Sequence, residues 1–186
     1  MKSFLKYQNP VCITTKSDLV TRDIDILKKL GDLTNVCISL PTLNQEFLDK
    51  IERRAPSVDR RLAAIKKLKE AGITVGVMMI PIFPFIDDDK QEIEDFCALL
   101  SEYKVDYVIP DVLNLRGETK ERLPKFLKQF YPELLDRYKD LYTYGKNKEY
   151  ADKPYLKTIF DFLMNDCLKK FGLNDYSKMI KGKWDN

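Results

Sequence analysis

The chain has 186 residues, of which 44% are hydrophobic and 33% charged, with a formal net charge of +3. This composition suits one globular unit with a real core and argues against disorder. No apolar run reaches the roughly eighteen residues of a membrane span, and the first residues lack a signal-peptide pattern. We therefore expect a cytoplasmic protein without a membrane partner.

Histidine is absent, which excludes Ser-His-Asp and Cys-His catalysis and the commonest zinc ligand.

The cysteines are spread too widely for a disulfide framework or for a CxxC metal pair. They are Cys12, Cys37, Cys97 and Cys167. Each falls within an apolar pattern where a small buried side chain is expected. We therefore predict four free thiols packed in the core and no metal site.

Short apolar runs alternate with longer amphipathic stretches along the first part of the chain, which is typical of strand-helix units joined in parallel. The predicted strands are residues 11–15, 35–40, 73–80 and 105–109. The predicted helices are one from an N-cap at Thr21 to Gly31, one at 43–51, one from Ser57 to Gly72, and one containing 93–100. Because proline lacks an N–H group, we expect Pro81 and Pro110 to end the third and fourth strands.

Beyond residue 117 the strand pattern disappears and helical segments remain at 118–130, 132–143 and 155–171. The division is into a first part, 1–115, and an all-helical C-terminal extension, 116–186. The sequence thus predicts an α/β protein: a partial (β/α) barrel, or an open parallel sheet of about four strands, with a helical appendage. An open sheet exposes an edge, which a homodimer or a tail helix would cover.

Functional groups of parallel α/β folds gather at the carboxyl ends of the strands. Lys16 follows the first predicted strand and Ser39 lies near the end of the second. A lysine and a serine on neighbouring strand ends suit a carboxylate, the lysine as a point charge and the hydroxyl as a donor.

A series of short motifs carries a family resemblance through its order and spacing. The motifs are ITTKSDL at 13–19, DIDIL at 23–27, VCISL at 36–40, IE at 51–52, AP at 55–56, RL at 61–62, AGI at 71–73 and IPIFP at 80–84. Together they resemble the later part of the radical S-adenosylmethionine family that contains spore photoproduct lyase. The resemblance covers about residues 10–115 well, and the tail more loosely at 130–134 and 167–173.

The resemblance implies a partial barrel that binds S-adenosylmethionine beside a [4Fe–4S] cluster. In the family, an electron from the cluster cleaves S-adenosylmethionine to methionine and a 5′-deoxyadenosyl radical. By position, Lys16 and Ser39 match the family residues at the methionine end, and Pro81 and Ile82 lie where the family contacts the adenine. Glu52 and Arg61 are expected to pair with each other or to hold the fold. No catalytic residue is assigned.

The chain departs from the family in having no CxxxCxxC motif, which in the family provides the three cluster thiolates. The resemblance therefore implies the C-terminal portion of such an enzyme, contributing to cofactor binding but unable to hold the cluster alone, with a separate or missing N-terminal half carrying the cysteines. The alternative is a non-catalytic paralogue or scaffold that keeps the fold. The sequence leaves open whether the chain acts as an enzyme.

Residues 116–186 combine a basic excess, 16 Lys+Arg against 11 Asp+Glu, with seven tyrosines, five phenylalanines and Trp184. Basic aromatic surfaces bind single-stranded nucleic acid. Pairs such as Phe126 with Phe130 and Tyr138 with Tyr142 recur at helical spacing, which favours packing. Nucleic acid as a partner follows by family analogy only. Lys178, Lys181 and Lys183 are expected to form a solvated terminus.

Overall fold

The computed structural model describes residues 1–145 and 148–176. Its strands are β1 (Val11–Thr15), β2 (Thr34–Ser39), β3 (Thr74–Ile82), β4 (Tyr107–Val112) and β5 (Asn174–Asp175). Its α-helices are α1 (Lys2–Tyr7), α2 (Ile24–Leu30), α3 (Gln45–Ile51), α4 (Val58–Glu70), α5 (Lys90–Glu102), α6 (Thr119–Phe130), α7 (Leu135–Leu141) and α8 (Lys153–Asp161), and a π-helical segment, Phe162–Leu168, continues α8. Tryptophan 184 and the three terminal lysines singled out above lie outside the described residues.

The five strands form one parallel sheet in chain order, β1-β2-β3-β4-β5. Right-handed crossovers between strands in this order place the connecting helices on a single face. On the central strands, side chains pointing to that face are buried, among them Val36, Val75 and Val108. The predicted α/β class with a parallel sheet is confirmed, in the arrangement of a partial barrel.

The opposite face of the sheet is only partly covered. Thr14 on β1 is exposed, and Met78 on β3 and Ile109 on β4 are half-buried. The Tyr107 ring lies across β3 near the amino end of this face, where a Cβ added at Gly76 would come within 2.1 Å of the Tyr107 Cζ atom. The ring therefore fills the amino end and leaves the carboxyl end for a site.

Among the described helices, α3, α4, α5 and α8 begin at a side chain that accepts a hydrogen bond from a backbone N–H group. Ser57 caps α4 as predicted, through a bond from the Arg60 N–H. The predicted N-cap at Thr21 is wrong, because the Ser17 hydroxyl accepts the Leu19 N–H and begins a 3₁₀ turn before α2. Two hydroxyl residues, Ser17 and Thr21, could have accepted a backbone N–H here, and Ser17 does so.

The prediction that Pro81 and Pro110 end their strands is also wrong. Both lie inside strands, β3 continuing to Ile82 and β4 to Val112. The pairing of β3 with β4 shifts register between Met79 and Ile82 and resumes at Ile82 and Val112. A register shift of this kind tolerates a missing donor, so each proline interrupts the ladder without ending the strand.

The C-terminal extension is not entirely helical, because it contributes β5. This two-residue strand pairs with Tyr107 and Val108 at the start of β4. A strand, rather than the expected helix, therefore covers part of that edge. Buried residues of both segments, such as Cys97 and Cys167, belong to the same hydrophobic core. The division at residue 115 stays a prediction.

Three of the four cysteines are buried as predicted, namely Cys37, Cys97 and Cys167. Cys12 is exposed, so its expected place in the core is wrong. The reason is that β1 is an edge strand and Cys12 points to the partly open face, where its thiol donates to the Asn35 Oδ1 atom at 3.0 Å.

Candidate functional site

The carboxyl ends of β1 and β2 bring the two predicted ligand residues next to each other. Thr15 pairs with Ile38 in the parallel register. Continuing this register by one residue places Lys16 opposite Ser39, and residues opposite each other in a parallel pair share a face. Ser39 is 7% exposed, whereas the Lys16 side chain is 52% exposed.

Glu52, just past the end of α3, connects this strand end to the helices. Its Oε1 atom lies 2.7 Å from the Lys16 Nζ atom, and its Oε2 atom pairs with the Arg61 guanidinium. The Glu52 side chain is only 7% exposed. A nearly buried carboxylate therefore forms ion pairs with two cations, one at each oxygen.

Arg61 on α4 holds the Glu52 carboxylate in place. It is fully buried, and it donates from Nε to the Pro56 carbonyl at 2.9 Å and from an Nη atom to the Ser39 carbonyl at 2.8 Å. A buried guanidinium needs both charge compensation and hydrogen-bond acceptors, and here it has both. Of the two expected roles, an ion pair between Glu52 and Arg61 is confirmed.

A wide, open depression of about 1080 Å³ surrounds Lys16. Its charged lining residues are Lys16, Asp18, Lys50, Glu52, Arg53, Arg54 and Arg60. Five cations thus face two carboxylates. Arg60 makes a two-pronged contact with Asp18, at 2.9 and 2.8 Å. The remaining excess of positive charge favours an anionic ligand.

The sequence did not single out the basic residues of this rim. Lys50 lies in the last turn of α3, and Arg53 and Arg54 follow in the connection to α4. Charged stretches of this kind are usually solvated surface. These residues come close to Lys16 only in the folded protein, where residues 50–56 line the same depression as residues 14–19.

The structure does not bring the Ile82 side chain to Lys16. Ile82 is 1% exposed and points into the core on the helix-covered face with Met79. Its side chain instead borders a separate crevice of about 320 Å³, which Asp87 also lines. Pro81 is half-buried in β3. Their role beside an adenine stays a prediction.

Buried aromatic residues of the extension bind the loops at the carboxyl side of the sheet. The Tyr138 hydroxyl donates to the Pro84 carbonyl at 2.6 Å, and the Tyr142 hydroxyl to the Leu113 carbonyl at 2.7 Å. Both tyrosines are 4% exposed. The prediction that this pair packs in the core is confirmed.

Within residues 1–145 and 148–176, no group of three or more His, Cys, Asp or Glu side chains is arranged to hold a metal ion. The buried thiols are held as neutral groups, because burial raises the pKa of Cys37 and of Cys167 to about 11 and that of Cys97 to about 12. The described residues therefore do not fit an iron-sulfur cluster. Nor is any helix of this part long and apolar enough to cross a membrane.

The family model of the radical SAM superfamily matches residues 3–100, just over half of the chain. The chain belongs to the radical SAM superfamily. An uncharacterized protein of Acidianus two-tailed virus is 37% identical over 118 residues, which are 62% of this chain and 39% of the relative. An uncharacterized protein of Methanocaldococcus jannaschii is 31% identical over 121 residues, 65% of this chain and 44% of the relative.

Solved structures of spore photoproduct lyase share the fold of this radical SAM protein. One mutant of the lyase matches with a TM-score of 0.63 and 18% identity over 92% of this chain and 53% of the lyase chain. A mutant with bound AdoMet and dinucleoside spore photoproduct matches with a TM-score of 0.62 and 18% identity over 91% and 53%. The chain spans about two fifths of the length of these curated relatives and about half that of the lyase.

Proposed function

We propose that this chain forms the S-adenosylmethionine-binding part of a radical SAM enzyme resembling spore photoproduct lyase. The observation that carries the proposal is the parallel pairing of Thr15 with Ile38, which makes Lys16 and Ser39 the next residues in register at the carboxyl ends of two neighbouring strands. Membership of the superfamily supports the cofactor class.

Lys16 and Ser39 bind the methionine end of the cofactor in this proposal. An ammonium group has three donors, of which Glu52 uses one, so donors remain for a carboxylate. The adenine lies near Pro81 and the backbone of Ile82. Bound S-adenosylmethionine would supply radical chemistry for hydrogen abstraction, and Lys16 and Ser39 would hold its methionine end.

The cluster cysteines come from another region in this proposal, either a separate polypeptide or an N-terminal part carrying CxxxCxxC. Two observations support this: the printed sequence has no such motif, and the described residues have no group that fits a metal. The same observations favour the second candidate, a non-catalytic paralogue or scaffold that retains the fold.

A nucleic-acid substrate, and with it a role in DNA repair as a lyase, is proposed by analogy. The support is the dinucleoside spore photoproduct in the similar lyase structure and the excess of cations around Lys16. A homodimer that covers an exposed sheet edge and a cytoplasmic location stay predictions from the sequence.

Calorimetric titration with S-adenosylmethionine tests the cofactor site. Lys16→Ala removes a charge-assisted contact and should weaken binding by about 1.5–3 kcal/mol. Lys66→Ala, an exposed lysine on the outer side of α4, is the matched control and should bind like the wild type. Equal affinities for the wild type and Lys16→Ala would remove Lys16 from the site.

Activity separates the two candidate functions. The chain is combined with a CxxxCxxC-bearing region found beside it in the genome, and the complex is reconstituted with iron and sulfide without oxygen. An enzyme should form 5′-deoxyadenosine on reduction. A complex that assembles its cluster and binds the cofactor but forms none would support the scaffold.

A further inference from the structure

We propose that Glu52 is a positioning residue that holds the Lys16 ammonium beside Ser39, ready for a carboxylate ligand. This inference rests on the proposed function, because it takes the methionine carboxylate of S-adenosylmethionine as that ligand. Glu52 touches no ligand itself and acts through Lys16.

The orientation of the Glu52 carboxylate is fixed from the protein side. Its Oε2 atom pairs with Arg61, which is fully buried and is itself anchored on the carbonyls of Pro56 and Ser39. The Oε1 atom is thereby aimed at Lys16, at 2.7 Å. A continuous series of polar contacts thus runs from the Ser39 backbone through Arg61 and Glu52 to the Lys16 ammonium.

Lys16 needs such a support because its side chain is half exposed and has four rotatable bonds. A free lysine samples many rotamers and must lose that freedom when it binds a ligand. Pre-ordering one long side chain strengthens binding by roughly 2- to 10-fold. Since Glu52 is compensated by two cations, the group keeps a net positive charge that attracts a carboxylate.

A simpler role for Glu52 is to neutralise the buried Arg61 and nothing more. Glu52→Gln removes the negative charge from both Lys16 and Arg61, so the two roles are separated by whether its effect on binding depends on Lys16. The glutamine carbonyl oxygen still accepts from the Arg61 guanidinium, whereas its amide N–H₂ faces the Lys16 ammonium, donor against donor. The substitution therefore releases Lys16 while it keeps the acceptor for Arg61.

A double-mutant cycle measures the coupling. The affinity for S-adenosylmethionine is determined by calorimetry for the wild type, Glu52→Gln, Lys16→Ala and the double variant. We expect Glu52→Gln to weaken binding about 2- to 10-fold when Lys16 is present and to have no further effect when position 16 is alanine. The same loss in both backgrounds, or no loss in either, overturns the positioning role.

Lysine-selective ¹⁵N relaxation provides a readout that needs no ligand. The Lys16 ammonium should become more mobile in Glu52→Gln, whereas the ammonium of Lys50, which pairs with Glu46, should not change. Equal mobility of Lys16 in both proteins overturns the inference. If Lys16→Ala binds S-adenosylmethionine like the wild type, the proposed function fails, and the relaxation result still decides whether Glu52 holds Lys16.

Discussion

Glu52 and Arg61 form an ion pair in which the arginine is completely buried and the glutamate side chain is 7% exposed. The arginine also donates to the backbone at the end of β2 and in the loop before α4. Replacing such an arginine removes its donors from two carbonyls and from the Oε2 atom of a nearly buried carboxylate, whose Oε1 atom keeps Lys16. The pair therefore holds the carboxyl end of the sheet as well as the candidate site.

Arg61→Ala should lower the free energy of unfolding by about 3 kcal/mol, toward the lower end for a broken buried pair, because Lys16 still compensates part of the Glu52 charge. Urea denaturation followed by circular dichroism measures the change. Arg60→Ala is the matched control one residue away. It breaks an ion pair whose arginine is 59% exposed and should cost less than about 1 kcal/mol. Equal losses for both variants would contradict the structural role of Arg61.

Asp87 should make the stability depend on pH. It is 6% exposed, and its Oδ2 atom has no hydrogen-bond partner among the described residues. Burial raises the pKa of its carboxyl to about 8, although the N–H of Phe83 donates to the other oxygen. The folded state thus keeps its proton up to about pH 8. In the unfolded chain, where the pKa is about 3.9, the same carboxyl loses its proton at a much lower pH.

The sign follows from proton linkage. Because the folded pKa is the higher one, this stabilising contribution is complete below about pH 4 and is lost as the pH rises toward about 8. Asp87→Asn keeps the acceptor for Phe83 and does not titrate. The wild type should therefore lose stability relative to Asp87→Asn across this window, as measured by urea denaturation at a series of pH values. Parallel curves for the two proteins would show that Asp87 is ionised in the fold.

Thiol labelling should distinguish Cys12 from the other cysteines. Cys12 is exposed, whereas Cys37, Cys97 and Cys167 are buried and have pKa values raised by burial. Since the thiolate is the reactive form, one thiol should react with a chromogenic disulfide in the native protein. All four should react in denaturant.

Cys12→Ser controls this assignment. The native variant should lose the fast reaction, and its denatured form should still react at three thiols. A fast reaction that persists in Cys12→Ser would place a second cysteine at the surface.

Patterns that act over a few residues were sufficient to predict the strand-helix alternation. The β-branched run that became β1 has the predicted bounds, 11–15, and Ser57 caps α4 as expected. Local patterns failed where tertiary pairing compensates for a local defect. Pro81 and Pro110 remain inside strands because a register shift lets the pairing resume beyond them.

The sequence likewise predicted some features of the candidate site and not others. The sequence indicated Lys16 and Ser39, since parallel strands bring their carboxyl ends to one edge, and it suggested that Glu52 and Arg61 pair. It did not indicate that one carboxylate bridges Lys16 and Arg61, or that Arg61 holds the Ser39 carbonyl. These contacts join residues up to 36 positions apart, and only folding sets their distances.

The sequence by itself determined the class of fold and the strand ends that carry the candidate ligands, because both follow from residue type and spacing, and the resemblance of its motifs indicated the family. Only the tertiary structure decided which face each side chain occupies. It turned Cys12 outward on an edge strand and Ile82 into the core, and it added a strand from the tail to the sheet. Burial and pairing depend on what the rest of the chain places opposite a residue, and no local pattern contains that information.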